Sequence, residues 1–351
     1  MPSGPVQPGP GQPGPVQPGE ALRRIAYLLE AEGAETYKVQ AFRRAASTVG
    51  EVPPIELARL NEQGRLETLT GIGKSTAAVI SEALSGSTPE YLEALEQRAA
   101  GVPGGPVGQL LQQLRGDCHS HSNWSDGGSP IDEMARTASD LGHEYLVLTD
   151  HSPRLTVANG LSADDLRRQL DVVAKVNETL APFRLLTGIE VDILEDGSLD
   201  QEEELLGRLD VVVASVHSKL RMDAPEMTSR MIAAVQNPHV DILGHCTGRR
   251  IVGRQRPQSK FDHDAVFAAC AVSGTAVEVN SRPDRRDPPE DLLRAAVAAG
   301  CRFSIDSDAH APGQLSWLRL GCEQAVEAAV PPAAIVNTMP LGQLLAWTSE
   351  H

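Results

Sequence analysis

The sequence predicts an α/β barrel preceded by a small all-α domain, and three observations carry that prediction. Short aliphatic or β-branched runs at residues 145–148, 184–186, 210–214, 240–243, 276–279 and 301–305 alternate with Ala/Leu/Glu/Arg-rich stretches of helical length at 130–141, 162–180, 224–236, 261–272 and 289–299. Repeated strand-then-helix units build parallel sheets, here closed as a barrel. Ahead of them, apolar residues recur at helical spacing, with Leu22, Ile25, Ala26 and Leu29 on one face and Val39, Phe42 and Ala46 on another. Finally, six of the ten histidines fall in short polar motifs that follow the apolar runs, and barrels place their active sites at the C-terminal ends of their strands.

Residues 1–19 are a Pro/Gly/Gln repeat too poor in apolar side chains to pack, and form a tail. The helical domain runs from 20 to 100, a linker from 101 to 113, and the barrel domain from 114 to 351, sizes that suit one helical module and one barrel within 351 residues. Five cysteines, an odd number without CxxC spacing, indicate reduced thiols. No apolar run reaches membrane-spanning length and no basic stretch leads into a hydrophobic one, so a cytoplasmic protein without a membrane partner is expected.

The polar motifs are His119-Ser120-His121 with Asp126 following, Asp150-His151, Glu190-Val191-Asp192, His217, His245 and Asp306-Ser307-Asp308-Ala309-His310. Imidazole suits divalent transition metals, carboxylates bridge and neutralise them, and a His-x-His pair on an extended segment puts both rings on one face. Taken singly, each motif is equally a capping or hydrogen-bonded histidine. As an ordered set, His119, His121, Asp126, His151, Glu190, His217, His245, Asp308 and His310 exceed what one ion with an open position uses. They predict two or three divalent ions, with Mn, Zn and Fe all suited to such mixed ligation. Asp150 and Asp192 are read as carboxylates that orient imidazoles or carry protons, and Asp306 as similar or as a loop cap. His143, His239, His263 and His351 fall outside the pattern and are read as surface or structural. A phosphate ester would need further cations, and the loop after His245 supplies Arg249, Arg250 and Arg254, with Lys219, Arg282 and Arg285 on neighbouring loops. Arg249 and Lys219 are the two singled out, arginine for its planar fork.

The phrases GDCHSHSNWSDG, YLVLTDHS, VANGL, GIEVDILEDGSLD, VVVASVHS, NPHVDILGHCTGR, AVEVNSRPDR and SIDSDAH carry a resemblance that spans residues 114 to about 348. This region resembles the PHP (polymerase and histidinol phosphatase) family of metal-dependent phosphoesterases, most closely the C-terminal PHP domain of bacterial family X DNA polymerases. The resemblance implies a distorted (β/α)7 barrel with up to three metals. It also implies their division: His119, His121, Glu190 and Asp308 on one ion, His217 and His245 on a second bridged by Glu190, and Asp126, His151 and His310 on a third.

Within the helical domain, Leu69-Thr70-Gly71-Ile72-Gly73-Lys74-Ser75 lies between two helical segments and reads as a helix-hairpin-helix turn. Its glycines permit a tight turn and a close approach of backbone N–H groups to a nucleic-acid phosphate. A Walker A loop is excluded because Thr68 stands where its first glycine is required. The segment, including YKVQAFRRAA, resembles the DNA-end-binding domain of family X polymerases, which makes Gly71, Gly73, Lys74, Lys38, Arg43 and Arg44 candidate nucleic-acid contacts. Two departures stand against this. Val79 occupies the position of the family's Schiff-base lysine, and residues 20–100 hold nine Lys/Arg against twelve Asp/Glu within a chain of net charge −16. Such acidity opposes non-specific DNA binding.

No nucleotidyl-transfer palm lies between the two domains, so no polymerase activity is expected. The expected function is a metal-dependent phosphoesterase acting on nucleic-acid 3′ ends, as a 3′–5′ exonuclease or 3′-phosphatase in a DNA-repair setting. A small-molecule phosphatase, such as a histidinol phosphatase, is the first alternative and a non-catalytic DNA-binding module the second.

Overall fold

Pro18, whose fixed φ suits the first turn of a helix, opens the first element of the computed structural model, α1 (Pro18–Ala31). The structure describes residues 16–99, 101 and 103–350. Most of the expected tail, residues 1–15, therefore lies outside the described residues, as does His351. Residues 16–19 lead into or begin α1.

The chain divides into two units between Gly101 and Val102. In the first, α1 is followed by α2 (Thr36–Glu51), α3 (Pro54–Glu62), α4 (Lys74–Leu84) and α5 (Glu90–Ala99). The two apolar faces read from the sequence meet here: Leu22, Ile25 and Leu29 share one core with Phe42, Ala46, Val79, Ile80 and Leu95. The hairpin turn before α4 depends on Gly71, at φ +81, and its carbonyl neighbour Thr70 is tied to α2 by the Thr48 hydroxyl at 2.8 Å.

The second unit runs α6 (Gly105–Gln113), β1 (Gly116–Ser120), α7 (Ile131–Asp140), β2 (Tyr145–Leu148), α8 (Ala163–Leu180), β3 (Arg184–Asp192), α9 (Glu203–Leu206), β4 (Val211–Ser215), α10 (Ala224–Val235), β5 (Ile242–Leu243), α11 (His263–Ser273), β6 (Ala276–Asn280), α12 (Glu290–Ala298), β7 (Phe303–Asp306), α13 (Leu318–Glu327) and α14 (Leu341–Thr348). One expectation is corrected. Most of the segment read as a linker is α6, because Leu110 and Leu114 are buried in the barrel's outer core and the helix packs on α13.

The seven strands are parallel and ordered β1 to β7. β3 serves both neighbours in turn, pairing Arg184–Thr187 with β2 and Gly188–Asp192 with β4. A side chain at Gly188 would lie 2.7 Å from the Val211 carbonyl oxygen, so this crossing requires glycine. The distortion of the barrel lies between β1 and β7. A short contact at Ser120 and Ala309 replaces a ladder there, and side chains satisfy the strand edges: Asp306 accepts from the Cys118 N–H at 2.9 Å and Asp117 from that of Ser307 at 3.2 Å. Buried Asn337 bridges the same seam, donating to the Gly116 and Ile305 carbonyls and accepting from the Ile305 N–H. Cys118, Tyr145, Val147, Leu186, Val213 and Ile242 fill a core with Leu344 and Trp347 of α14.

Candidate metal centre

Each strand's apolar run ends in a polar side chain because the chain leaves the packed barrel there, and the parallel order brings all these ends to one face. The nine candidate ligands converge on it. Glu190, almost fully buried, sits at the middle: its Oε1 lies 2.8 Å from His245 Nε2 and 3.2 Å from His217 Nε2, and its Oε2 2.9 Å from His151 Nδ1, 3.4 Å from His119 Nε2 and 3.6 Å from His121 Nε2. Asp308, held at φ +50 where its strand ends, brings Oδ1 within 3.5 Å of His121 Nε2 and of His310 Nδ1. Asp126 faces His310 Nε2 at 3.3 Å and His151 Nε2 at 3.5 Å.

Seven of the nine candidates group as His119, His121 and Glu190, as His151, Glu190 and His217, and as His121, Asp126, His151 and His310, while His245 and Asp308 join through their contacts with Glu190 and His121. This is one continuous cluster in which His121, His151 and Glu190 each join two groups, and Glu190 stands between the first two as the bridge that the resemblance implies. His143, His239 and His263 belong to none of the groups.

The electrostatics fit cations. Burial, reinforced by His310 and His151, holds the His121 imidazole well below its ordinary value, and burial with Arg285 lowers that of His245, so both rings offer lone pairs. Burial alone would raise the Glu190 carboxyl, but His217, His119 and His151 outweigh it and hold it well below the carboxylate range. For Asp308, Arg282 and His119 likewise overcome burial. Buried ring nitrogens of His121, His151, His217 and His245 have no hydrogen-bond partner among the described residues. Ring nitrogens without hydrogen-bond partners, packed around ionised carboxylates away from water, are a costly arrangement that divalent ions satisfy.

Around the donors stand residues that position them. Asp192 accepts from the His217 backbone N–H at 3.1 Å and lies 3.4 Å from its Nδ1. The sequence reading missed Glu278 of β6, which is fully buried, 2.6 Å from His119 Nδ1, and also accepts from the His245 backbone N–H. The signal was available. In AVEVN a lone carboxylate interrupts an apolar strand, and alternation puts residues 276, 278 and 280 on one face; Asn280 Nδ2 indeed donates to Asp308 Oδ2 at 3.0 Å.

Several expected roles are corrected. Asp150 touches no imidazole: it accepts from the Ser122 N–H and hydroxyl, the Ser125 hydroxyl and Gln169 Nε2, which makes it the anchor of the His121–Asp126 loop. Asp306 spans the β1–β7 seam. Arg249 spends its guanidinium on the backbone carbonyls of Arg285 and Arg286, tying two loops together. Lys219 is exposed at the rim, 3.9 Å from Glu195. The cations that reach the cluster are instead Arg282, 3.4 Å from Asp308 Oδ1 and 3.0 Å from His310 Nδ1, and Arg285, 3.4 Å from Asp308 Oδ2. Arg285 is buried, yet its Nε and Nη1 donate to no described residue.

In the helical unit, Gly71, Gly73, Lys38 and Lys74 line a cavity of about 580 Å³ with Phe42 and Val79. Arg44 is exposed beside the Gly71 turn. Arg43 is corrected: it pairs at 2.7 Å with Glu30, which is buried, and serves the helical core.

A barrel with this donor set at its C-terminal rim defines a metal-dependent phosphoesterase class. Residues 117–282 match the PHP domain family, and residues 17–88 match a helix-hairpin-helix domain. The chain thus carries a helix-hairpin-helix domain followed by a PHP domain. It is 36% identical over 241 residues to the Bacillus subtilis DNA polymerase/3′-5′ exonuclease PolX, an alignment covering 69% of this chain and 42% of that protein, so the chain spans less than half the length of that relative. It is 28% identical over 245 residues to a Thermoanaerobacter protein named a probable phosphatase, covering 67% of this chain and 94% of that one. The solved histidinol phosphate phosphatase of Lactococcus lactis overlaps 61% of this chain and 92% of its own at 18% identity, with a TM-score of 0.44.

Proposed function

We propose that this protein hydrolyses phosphate esters at nucleic-acid 3′ ends in the cytoplasm, as a 3′–5′ exonuclease or 3′-phosphatase, and does not polymerise. The observation that carries the hydrolytic part is the convergence of nine candidate donors, Glu190 at their middle, with the positively charged Arg282 and Arg285 beside them. His119, His121, Glu190 and Asp308, then His217 and His245, then Asp126, His151 and His310 would hold two or three Mn, Zn or Fe ions. Bound there, such ions activate water and neutralise charge on a phosphoryl group.

The chain's own residues do the rest. Glu278 and Asp192 fix the rings of His119 and His217. Arg285 has unused N–H donors inside the site, and its planar fork suits two phosphate oxygens, with Arg282 beside it. Asp126 is the exposed edge of the cluster, where substrate enters.

Two features support a nucleic-acid end over a free metabolite. The likeness to a polymerase/exonuclease extends over most of the chain. Lys38 and Lys74, the only lysines among residues 20–100, both line the cavity beside the Gly71 turn, and neither is ion-paired among the described residues. A second reading, a small-molecule phosphatase, is favoured by the relative named a probable phosphatase, which the barrel domain nearly spans.

The test is hydrolysis by metal-free protein reconstituted with Mn²⁺ or Zn²⁺, beside His119→Ala, on 3′-labelled single-stranded and primed DNA and on histidinol phosphate. Metal-dependent shortening or 3′-dephosphorylation of DNA, absent in the variant, is expected. Turnover of histidinol phosphate alone would transfer the assignment to the small-molecule reading, and no turnover of either to a DNA-binding module.

A further inference from the structure

Beside the cluster lies a second cavity, of about 390 Å³, lined by Asn123, Trp124, Asn159, Leu161, Asp165 and Arg168. Its position is tied to the donors by the chain itself. Asn123 and Trp124 stand between His121 and Asp126, and the Leu161 N–H donates to the His151 carbonyl at 2.7 Å. The loop that carries Asn159 and Leu161 is pressed on the cluster's own backbone, since a side chain at Gly160 would lie 1.8 Å from the Ser152 carbonyl oxygen.

The chemistry of this cavity differs from that of the metal site. Arg168 and Asp165 neutralise each other, and Asp165 is also engaged by the Ser162 hydroxyl at 2.5 Å and backbone N–H at 3.3 Å. No free cation remains for a second phosphate and no free anion for an ammonium group. What remains is neutral and directional. The Asn123 side chain and the Trp124 indole N–H have no hydrogen-bond partner among the described residues, and the Asn159 amide makes one contact, at 3.5 Å, to the Ser125 carbonyl. Asn159 is held at φ +53, a left-handed conformation that asparagine tolerates better than most residues. Leu161 supplies an apolar wall, and Trp124 a flat aromatic one.

We infer that this cavity receives the nucleobase next to the scissile phosphate. A nucleobase is flat and uncharged and has adjacent donors and acceptors on its edge, which asparagine amides match and an indole ring stacks against. The inference rests on the nucleic-acid reading above and specifies which part of the substrate this chain recognises beyond phosphate.

The test uses the reconstituted full chain and compares kcat/KM on single-stranded oligonucleotides whose 3′-terminal residue either carries a base or is a tetrahydrofuran abasic analogue. Wild-type protein should favour the base-bearing end by about tenfold or more, the scale of one stacked base. Asn159→Gly, which keeps the backbone conformation while removing the amide, and Asn123→Ala should each reduce that ratio about fivefold, through KM. A wild-type ratio near one, or a ratio unmoved in both variants, overturns the inference. If the protein cleaves p-nitrophenyl phosphate but neither oligonucleotide, the nucleic-acid-end reading falls, and inhibition of that cleavage decides the pocket separately. Stronger inhibition by deoxyadenosine monophosphate than by deoxyribose 5-phosphate, lost in Asn159→Gly, retains the pocket; equal inhibition by the two overturns it.

Discussion

At the scale of single residues, Glu278 is a fully buried carboxylate in contact with two of the candidate ligands. It holds His119 Nδ1 at 2.6 Å, which fixes the tautomer and leaves Nε2 facing Glu190. Removing such a partner commonly costs 10–100-fold in metal affinity, so Glu278→Gln should release metal to a competing chelator at about 10–100-fold lower chelator concentration, with melting of the metal-free protein nearly unchanged. Equal metal retention by both proteins would remove Glu278 from the centre. A second carboxylate, Asp241, lies at the opposite end of the barrel and makes a pH prediction independent of the metals. It accepts one hydrogen bond, from the Val212 N–H at 2.7 Å, and burial pushes its carboxyl up to about 8. The folded protein therefore keeps a proton that the unfolded chain releases near its ordinary value. The associated stability is full below about pH 4 and is lost as pH rises through about 8, at up to about 1.4 kcal/mol per pH unit. Asp241→Asn should flatten the change in urea midpoint between pH 5 and 8; an unchanged difference would show that the slope comes from other groups. The contrast between the two positions explains what the sequence disclosed. The nine candidate donors could be picked out as a set because metal chemistry restricts residue type and barrel topology restricts place. The roles of Asp150 and Glu278 could not, because a carboxylate at a strand's end or within a strand does not reveal its partner, and only their contacts show that one holds a loop while the other holds a ring.

At the scale of elements, six of the seven strands, all but β1, could be read from alternation of apolar runs with helical stretches, whereas α6 could not. Its Gly-Pro-rich start resembles a linker, and its burial depends on α13, more than two hundred residues away. The loop after β5 shows the same limit for side chains. The sequence singled out Arg249, yet Arg249 and Arg256 donate to backbone carbonyls of Arg285, Arg286 and Gly248, while Arg285 on the facing loop keeps unused donors inside the site. The two classes should separate experimentally. Arg249→Ala strands two carbonyl acceptors and should cost about 1–3 kcal/mol of stability. Arg285→Gln should raise KM for p-nitrophenyl phosphate by about 10–100-fold, the worth of a charge-assisted hydrogen bond. Denaturant midpoints and steady-state kinetics on both variants check this, and the opposite pattern would return the phosphate-binding role to Arg249.

At the scale of the whole molecule, the two units have separate cores: the buried helical cluster contains no residue of the barrel, and the barrel clusters contain none of the helices α1 to α5. Each should therefore fold alone, and under the proposed nucleic-acid function the helical unit would add substrate affinity rather than chemistry. The chain's charge of −16 repels a polyanion at long range, but screening confines that repulsion to about 10 Å at 0.1 M salt. Attraction must then be local, and the unpaired lysines at positions 38 and 74 are where the helical unit offers it. Two phosphate contacts on a single strand contribute about −1.4 to the slope of log affinity against log salt. The full chain should therefore bind a single-stranded oligonucleotide with a slope about 1.4 steeper than the fragment 102–351, and Lys38→Ala with Lys74→Ala should reduce the full chain to the fragment's slope. The fragment should still cleave p-nitrophenyl phosphate at the full chain's rate. Equal slopes for the full chain and the fragment would mean that the helical unit, despite its hairpin turn, makes no phosphate contact, and that the barrel rim alone selects the substrate.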